Sequence, residues 1–367
     1  MRRVMLLPWL YETSLDKDVL QMKKRIAELE IIRFLCCLLV ILHHMDVFSA
    51  YSMNGQYAVG FFFIVSGFFM QREAVKSISC CTPSPKEKTT FRFIASRLKH
   101  LYPYFIVSIA AGLMAWSAMR IVVGPLFWKL SHIWPELFLL QMFGNWPSDW
   151  WITGVSWFLG ASLFGQMLFY PIAKVCVKKS IDGIFLISTI ISWAIVVLYY
   201  PLSFQNPGNI WFSYLHQGLL LAWAGLSYGA ALGEIYGRYP QAFKRLVHLR
   251  FFCYILAIST MFTAVPGLWI WGLLGAGVLL SVYYADNIKR CSSPWASFLG
   301  EWSVTLYLNH YYWALGLDMK FSFLAAPVKW VLYWGLSILT SLWVWWIVKR
   351  VLPYIYMQLR HIGVSIR

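Results

Sequence analysis

Charged residues are scarce in this sequence. They make up 13% of its 367 residues, and only 15 residues are acidic. A soluble domain of ordinary composition carries about 25% charged residues, so this shortage argues against a soluble globular fold. Hydrophobic residues supply 60% of the chain, a proportion that favours a protein buried in lipid rather than one dissolved in water.

Other familiar signals are also missing. The seven cysteines show no metal-ligand spacing, so we expect no metal. Two lie in an apolar run and five in or beside basic segments, a pattern that favours reduced thiols over a disulfide framework. No Walker-type or dinucleotide-binding glycine fingerprint occurs. Any phosphate group bound by this protein would therefore have to be held by side chains.

What the sequence does contain is a series of long apolar runs. About 20 such residues cross a bilayer as a helix, and ten runs are bounded by charge, proline or a polar cluster. These runs are 29–47, 56–71, 101–121, 153–173, 182–200, 211–236, 251–265, 267–285, 298–317 and 328–348. We predict an all-α, polytopic transmembrane bundle over residues 29–348, flanked by segment 1–28 and a basic tail, 349–367.

The basic residues are distributed unevenly around these runs. If the N-terminus is inside, the inside segments hold 26 lysines and arginines and the outside segments hold four. This bias predicts that both termini are cytoplasmic. The net charge of +16 then reflects orientation in the bilayer, and we expect no nucleic acid partner.

Two stretches do not read as spans. The first is the N-terminal segment, which resembles a poor signal peptide without a cleavage site; translation from Met22 is an alternative. The second is 122–152, which is apolar but interrupted by Pro125, Pro135 and Pro147. We interpret it as an outer-face or re-entrant segment, whose backbone groups must be satisfied by protein.

The first span carries the strongest candidates for chemistry, because ionisable groups inside a bilayer are costly. Arg33 and His44 are eleven positions apart, so they share one helix face and stand roughly 16 Å apart along the axis. His44 can act as a general base on a hydroxyl. His43 points towards a different neighbour, and the two histidines can also be interpreted as packing residues that are hydrogen-bonded to their neighbours.

Polar residues in other spans are open to two interpretations. Ser66, followed by Gly67 in the middle of the second span, is typical of a packing notch. In the ninth span Ser303, Tyr307 and His310 are spaced by four and three, so they share a helix face. That stripe fits either contact between helices or the wall of a cavity.

Five segments taken in order resemble the motifs of the acyltransferase-3 family of membrane-bound O-acyltransferases. Arg33 and His44 match its Arg-x10-His signature. The other four segments are GFFFIVSGFF with Ser66, FIASRLKHLYP with Arg97, VSWFLGASLFGQMLFYPI with Trp157, and LGEWSVTLYLNH with Ser303, Tyr307 and His310. The expected ten spans and cytoplasmic termini agree with this resemblance.

The sequence departs from the family pattern at two places. The second arginine of an R-x-x-R pair is His100 here, so donor binding would rest on Arg97, together with Lys99. Many members also carry a glutamate in the fourth-span motif, where this chain has Gly160 followed by Ala-Ser-Leu. The role of that carboxylate is therefore not filled by this motif.

The resemblance implies transfer of an acyl group, acetyl from acetyl-CoA first of all, to a hydroxyl of a sugar, glycolipid or polysaccharide of the cell envelope. His44 would be the base, and Arg33, Arg97 and Lys99 would bind the acyl-CoA donor. The expected cavity residues are His43, Ser66, Trp157, Ser303, Tyr307 and His310. The resemblance also implies a multi-pass protein of a bacterial cytoplasmic membrane.

A transporter or flippase for an anionic or lipid-linked substrate is the main alternative. Intramembrane histidine and arginine and basic loops would suit it equally well. The sequence shows neither inverted repeats nor paired glycine- or proline-broken helices, which argues against this alternative. A purely structural scaffold would leave the buried Arg33 and His44 unexplained.

Overall fold

The computed structural model describes residues 25–45, 53–79, 89–119, 132–144, 151–199, 210–212, 215–263, 267–289 and 291–361. Most of segment 1–28, including the alternative start at Met22, lies outside these residues, as do parts of 122–152.

Helices dominate the described residues. In chain order they are α1 (Ala27–His43), α2 (Ala58–Ser79), α3 (Thr90–Ala118), α4 (Trp134–Leu137), α5 (Trp157–Lys179), α6 (Ile184–Tyr199), α7 (Gln217–Arg238), α8 (Arg250–Thr260), α9 (Trp269–Asn287), α10 (Pro294–Asn309), α11 (Tyr311–Lys320), α12 (Ala326–Trp346) and α13 (Leu352–His361). A π-helical turn, Ile347–Val351, joins α12 to α13.

The remaining elements are short. Strands β1 (Ile210–Phe212) and β2 (Leu215–His216) pair antiparallel just before α7. The 3₁₀ turns are Gly55–Tyr57, Pro240–Phe243 and Val247–Leu249.

Every predicted span overlaps at least one helix. Six helical stretches among the described residues are long and apolar enough to cross a bilayer, namely Gly55–Ile78, Thr90–Ala118, Trp157–Lys179, Gln217–Arg238, Trp269–Asn287 and Ala326–Tyr356. Two more apolar helices, Ile184–Leu198 and Val247–Thr260, are shorter. The fold is a membrane helical bundle, while the count of ten spans stays a prediction.

The second and third helices extend further than their apolar runs. The sequence places a basic loop between residues 71 and 101, but α2 continues to Ser79 and α3 begins at Thr90. Thr89 caps α3 by accepting a hydrogen bond from the backbone N–H of Arg92, which fixes the helix start well before the lipid-facing run. Arg97 therefore lies on a helix and not in a loop.

The ninth predicted span is divided. Helix α10 ends at Asn309 and α11 begins at Tyr311, with His310 between them. This break places a histidine at an interruption of the backbone ladder, inside the bundle.

The centre of the bundle is the contact between α2 and α7, and glycine makes it close. A Cβ atom on Gly67 would collide with the carbonyl oxygen of Leu226, and one on Gly229 with that of Ile64. Gly67 therefore does serve as the packing notch that the sequence predicts, because only a residue without a side chain lets the backbones approach this closely.

The described part of the stretch 122–152 packs onto the bundle around a buried carboxylate. Glu136 is 0% exposed and accepts hydrogen bonds from the backbone N–H groups of Ile152 and Thr153 and from the hydroxyls of Thr153 and Ser156. Because these donors satisfy the carboxylate and it satisfies the backbone, irregular chain is tolerated inside an apolar bundle.

Candidate functional site

A cavity of about 380 Å³ opens near the end of the bundle where α1, α3 and α10 begin and α12 ends. Its walls come from α1, α2, α3, α5 and α10. The residues that line it are Arg25, Glu30, Arg33, Phe62, Val65, Ser66, Arg97, His100, Leu101, Tyr104, Phe158, Leu159, Ser162, Leu163, Gln166, Gly300, Glu301, Ser303, Val304, Tyr307, Leu308 and Lys349.

Four cationic and two acidic side chains make this cavity net positive. Glu301 joins two of the cations, because Arg25 donates to its Oε1 at 2.9 Å and Lys349 lies 2.9 Å from its Oε2. Arg25 also donates to the backbone carbonyl of Ser297 at 3.3 Å. The start of α1 and the end of α12 are thereby tied to α10.

The second acidic side chain of the cavity, Glu30, forms an ion pair with Arg33. Glu30 is 6% exposed and accepts a hydrogen bond of 2.8 Å from the Arg33 guanidinium. A Cβ atom on Gly300 would collide with the Glu30 carboxylate. The glycine of the LGEWS segment thus leaves room for the ion pair that fixes Arg33 at the cavity wall.

Arg97 differs from the other cations. Its guanidinium stacks over the Phe93 ring, 5.2 Å from the centroid, and it has no ion pair among the described residues, although the Glu73 carboxylate acts on it at longer range. Its neighbour Lys99 is exposed and does not line the cavity, whereas His100 does. The residue that departs from the family's R-x-x-R pair therefore still lies at the same wall.

The cavity becomes aromatic in its deeper part. Phe62, Phe158 and Tyr307 form what we call the aromatic triad, with ring centroids 5.6 to 6.2 Å apart. The Tyr307 hydroxyl donates to the backbone carbonyl of Val155 at 3.2 Å. Ser66 and Ser303 also line the cavity, which places three of the six residues predicted from the sequence on its wall.

The other three predicted residues lie outside this wall. Trp157 is buried and packs against the Phe63 ring, at a centroid distance of 6.3 Å. His43 and His310 belong to a histidine cluster that also contains His44. In that cluster the His44 ring lies 5.2 Å from His43 and 5.3 Å from His310 between centroids.

Two members of the histidine cluster are anchored to backbone carbonyls. The His43 Nδ1 lies 2.7 Å from the carbonyl oxygen of Met53, and the His310 Nδ1 lies 2.6 Å from that of Tyr307. His44 is held instead by rings, with Tyr311 at 4.7 Å. The anchored neighbours fix the surroundings of His44 without using its own nitrogens.

Tyr307 connects the cavity with the histidine cluster. Its side chain lines the cavity, and its ring centroid lies 5.8 Å from that of His310. Arg33, on α1, and His44, directly after its last residue, therefore lie at the two ends of one path. That path runs from ion pairs, through aromatic rings, to imidazoles.

Comparison with known proteins decides what kind of protein has this path. A family model described as an acyltransferase domain, Acyl_transf_3, matches residues 26–350. The chain belongs to the acyltransferase-3 family. No curated protein and no solved structure matches the sequence.

Membership makes the protein a membrane acyltransferase. The acyltransferase has cationic side chains at one end of the path and imidazoles at the other. Among the described residues, no group of three His, Cys, Asp or Glu side chains is arranged to hold a metal.

Sequence reasoning missed the cations Arg25 and Lys349. Both lie in segments that read as charged tails of the bundle, and only folding brings them to the same carboxylate. The one available signal was Glu301, an acidic residue inside the ninth-span motif of a chain with few acidic residues.

Proposed function

We propose that this acyltransferase moves an acetyl group from acetyl-CoA to a hydroxyl of a sugar, glycolipid or polysaccharide of the cell envelope. The observation that carries the proposal is the path from a net positive cavity to the histidine cluster. A thioester donor carries phosphates at one end and its acyl group at the other. Its phosphates would lie in the net positive cavity and its acyl group near the histidine cluster.

The phosphates of the donor would bind at the cationic end. Arginine is well suited to phosphate oxygens because its fork of donors matches their geometry. Within the cavity Glu30 and Glu301 neutralise part of the positive charge, which limits the cost of holding cations near lipid. Arg97 has no ion pair among the described residues, so a phosphate at Arg97 would not have to displace a carboxylate.

The pantetheine arm would then follow the apolar wall towards the aromatic triad. Because Arg33 and His44 stand roughly 16 Å apart along α1, an extended arm fits between them. The lysine and arginine bias assigns the cationic end to the cytoplasm, the compartment in which acyl-CoA is made available. The proposed location is a bacterial cytoplasmic membrane.

The chemistry requires one base. A nitrogen of His44 would take the proton of the acceptor hydroxyl while the hydroxyl oxygen attacks the thioester carbonyl carbon. The carbon–sulfur bond then breaks, and the thiolate takes the proton back from His44. The products are an ester and free CoA, and no metal is needed for this balance.

Family membership favours this function over a transporter, which would use the same intramembrane charges. The two differ in a direct way, because an acyltransferase in detergent turns over acyl-CoA without a gradient across a membrane. A transporter does not cleave the thioester bond of acyl-CoA, so it would release no free CoA.

The test is transfer of labelled acetyl by wild-type protein and His44→Ala. Membranes holding either protein are incubated with acetyl-CoA labelled in its acetyl group, and free CoA is measured with the label in lipid and polysaccharide fractions. We expect His44→Ala to lose at least about 100-fold in transfer rate, since a general base contributes that much or more.

Equal insertion of both proteins, judged by their amount in the membrane and by their melting temperature in detergent, is the control. Undiminished transfer by His44→Ala would rule out His44 as the base. No CoA release by the wild type, with envelope extract supplied, would rule out the proposed donor.

A further inference from the structure

The feature that the proposed reaction leaves unused is the second nitrogen of His310. This side chain is 0% exposed, and its Nδ1 lies 2.6 Å from the carbonyl oxygen of Tyr307. A carbonyl only accepts, so Nδ1 carries the hydrogen in that bond. The neutral ring then has its lone pair on Nε2.

Nε2 of His310 has no hydrogen-bond partner in the described protein. Its chain neighbour Asn309, by contrast, is fully paired. Asn309 donates from Nδ2 to the Ser108 hydroxyl and the Thr305 carbonyl, and its Oδ1 accepts from the Tyr312 hydroxyl. A buried acceptor left open beside this network indicates a donor that the described part of the protein does not supply.

The position of the His310 ring indicates which molecule would donate a hydrogen bond to Nε2. The His310 ring lies 5.3 Å from the ring of His44, the proposed base, and 5.8 Å from that of Tyr307 on the cavity wall. The His310 ring is therefore beside the imidazole at which the acceptor hydroxyl would react. One hydroxyl hydrogen cannot serve both histidines, because an O–H group donates a single hydrogen bond.

We propose that His310 binds a second hydroxyl of the acceptor, next to the hydroxyl that His44 activates. The substrate class is then a molecule with neighbouring hydroxyl groups, such as a sugar ring, rather than a simple alcohol. This inference rests on the proposed function, and it makes His310 a specificity-determining residue that contacts the acceptor.

Two small alcohols of the same ring size test the inference. The purified wild type in detergent is given acetyl-CoA and either trans-cyclohexane-1,2-diol or cyclohexanol, and kcat/KM for each alcohol is measured by release of free CoA. We expect the diol to be preferred about tenfold, the factor that one additional hydrogen bond supplies. A wild type with no preference overturns the inference.

Variants at His310 separate recognition from packing. His310→Phe keeps a buried ring but has no hydrogen-bond acceptor, so we expect its kcat/KM for the diol to fall to that for cyclohexanol, whatever its rate with cyclohexanol. His310→Gln presents a carbonyl oxygen that can accept from a hydroxyl, and we expect it to keep part of the preference. A preference unchanged in His310→Phe overturns the inference.

Tyr312→Phe is the matched control for structure. It removes the hydroxyl that donates to Asn309, one turn away, and leaves His310 intact. We expect it to keep the full preference for the diol. If Tyr312→Phe loses the preference as His310→Phe does, the effect comes from packing and the inference is overturned.

Failure of this inference and failure of the proposed function look different. If neither alcohol is acetylated but envelope glycan is, in a His44-dependent manner, the inference on His310 is overturned and the proposed function stands. If no acceptor is acetylated by the wild type, the proposed function itself fails.

Discussion

Individual carboxylates determine how the cationic cavity can exist inside an apolar bundle. Glu301 holds Arg25 and Lys349, and Glu30 holds Arg33. These pairs balance charge within the cavity, and they hold the cationic groups in place. The proposed phosphate would compete with a carboxylate at three cations, while Arg97 has no ion pair among the described residues.

Arg97 is therefore the cation whose loss is most specific to the donor's phosphates. We expect Arg97→Gln to lower kcat/KM about tenfold or more for acetyl-CoA, because a hydrogen bond to a charged group is lost. For acetyl-pantetheine, which has no phosphate, we expect little change. The measurement is CoA or pantetheine release by the purified protein.

Lys178→Gln is the control for this charge change, since Lys178 is exposed at the end of α5, away from the cavity. We expect it to behave as the wild type with both donors. An equal loss with both donors in Arg97→Gln would mean that Arg97 supports the structure instead of binding phosphate.

At the scale of elements, glycines position the helices that form the cavity. Gly67 lets α2 approach α7, and Gly300 leaves room for Glu30 between α1 and α10. Ser66, next to Gly67, faces the cavity. The packing notch and the cavity wall are thus consecutive residues of one helix, and both readings of this segment apply.

Gly67→Ala is expected to destabilise the bundle, because the added methyl group meets the backbone carbonyl of Leu226 and backbone cannot move aside cheaply. We expect a loss of about 2 kcal/mol in the free energy of unfolding, as for overpacked cores. The measurement is thermal unfolding in detergent.

The matched variant is Gly335→Ala on α12, where an added Cβ would meet nothing within 4 Å. We expect its melting temperature to equal or slightly exceed that of the wild type, because alanine favours helix more than glycine does. Equal melting temperatures for the two variants would contradict the close approach of α2 and α7.

At the scale of the whole molecule, the lysine and arginine bias and the cavity make a joint prediction of orientation. The cationic end of the bundle should face the cytoplasm, as both termini should. Cys291, exposed before α10, belongs to that side. Phe323, 78% exposed between α11 and α12, belongs to the other.

Labelling with a membrane-impermeant maleimide measures this orientation. The other six of the seven cysteines are replaced, and Cys291 is compared with a variant in which Cys291 is also replaced and Phe323→Cys supplies the one thiol. We expect Cys291 to react in inverted vesicles and not in intact cells, and the Phe323→Cys thiol to show the opposite pattern. The reverse result would place the cavity on the outer side and contradict a cytoplasmic donor.

Much of the fold could be predicted from the sequence because the bilayer imposes a strong and local rule. A chain segment inside the bilayer must satisfy its own backbone hydrogen bonds, so each apolar run is expected to form a helix. In the structure every predicted span overlaps at least one helix. The helix ends were less predictable, since α2 and α3 extend past their apolar runs into charged segments. The hydropathy of a sequence does not show where a helix ends when its terminal residues are polar and lie outside the bilayer.

The sequence by itself determined the membrane helical bundle and the family, because hydropathy and motif spacing are properties of residues close together in the chain. Only the tertiary structure decided that Arg25 and Lys349 share Glu301, that Tyr307 joins the cavity to the histidines, and that the His310 Nε2 remains open. Arg25 and Lys349 lie at opposite ends of the chain, and no local pattern records which distant segments meet when helices pack.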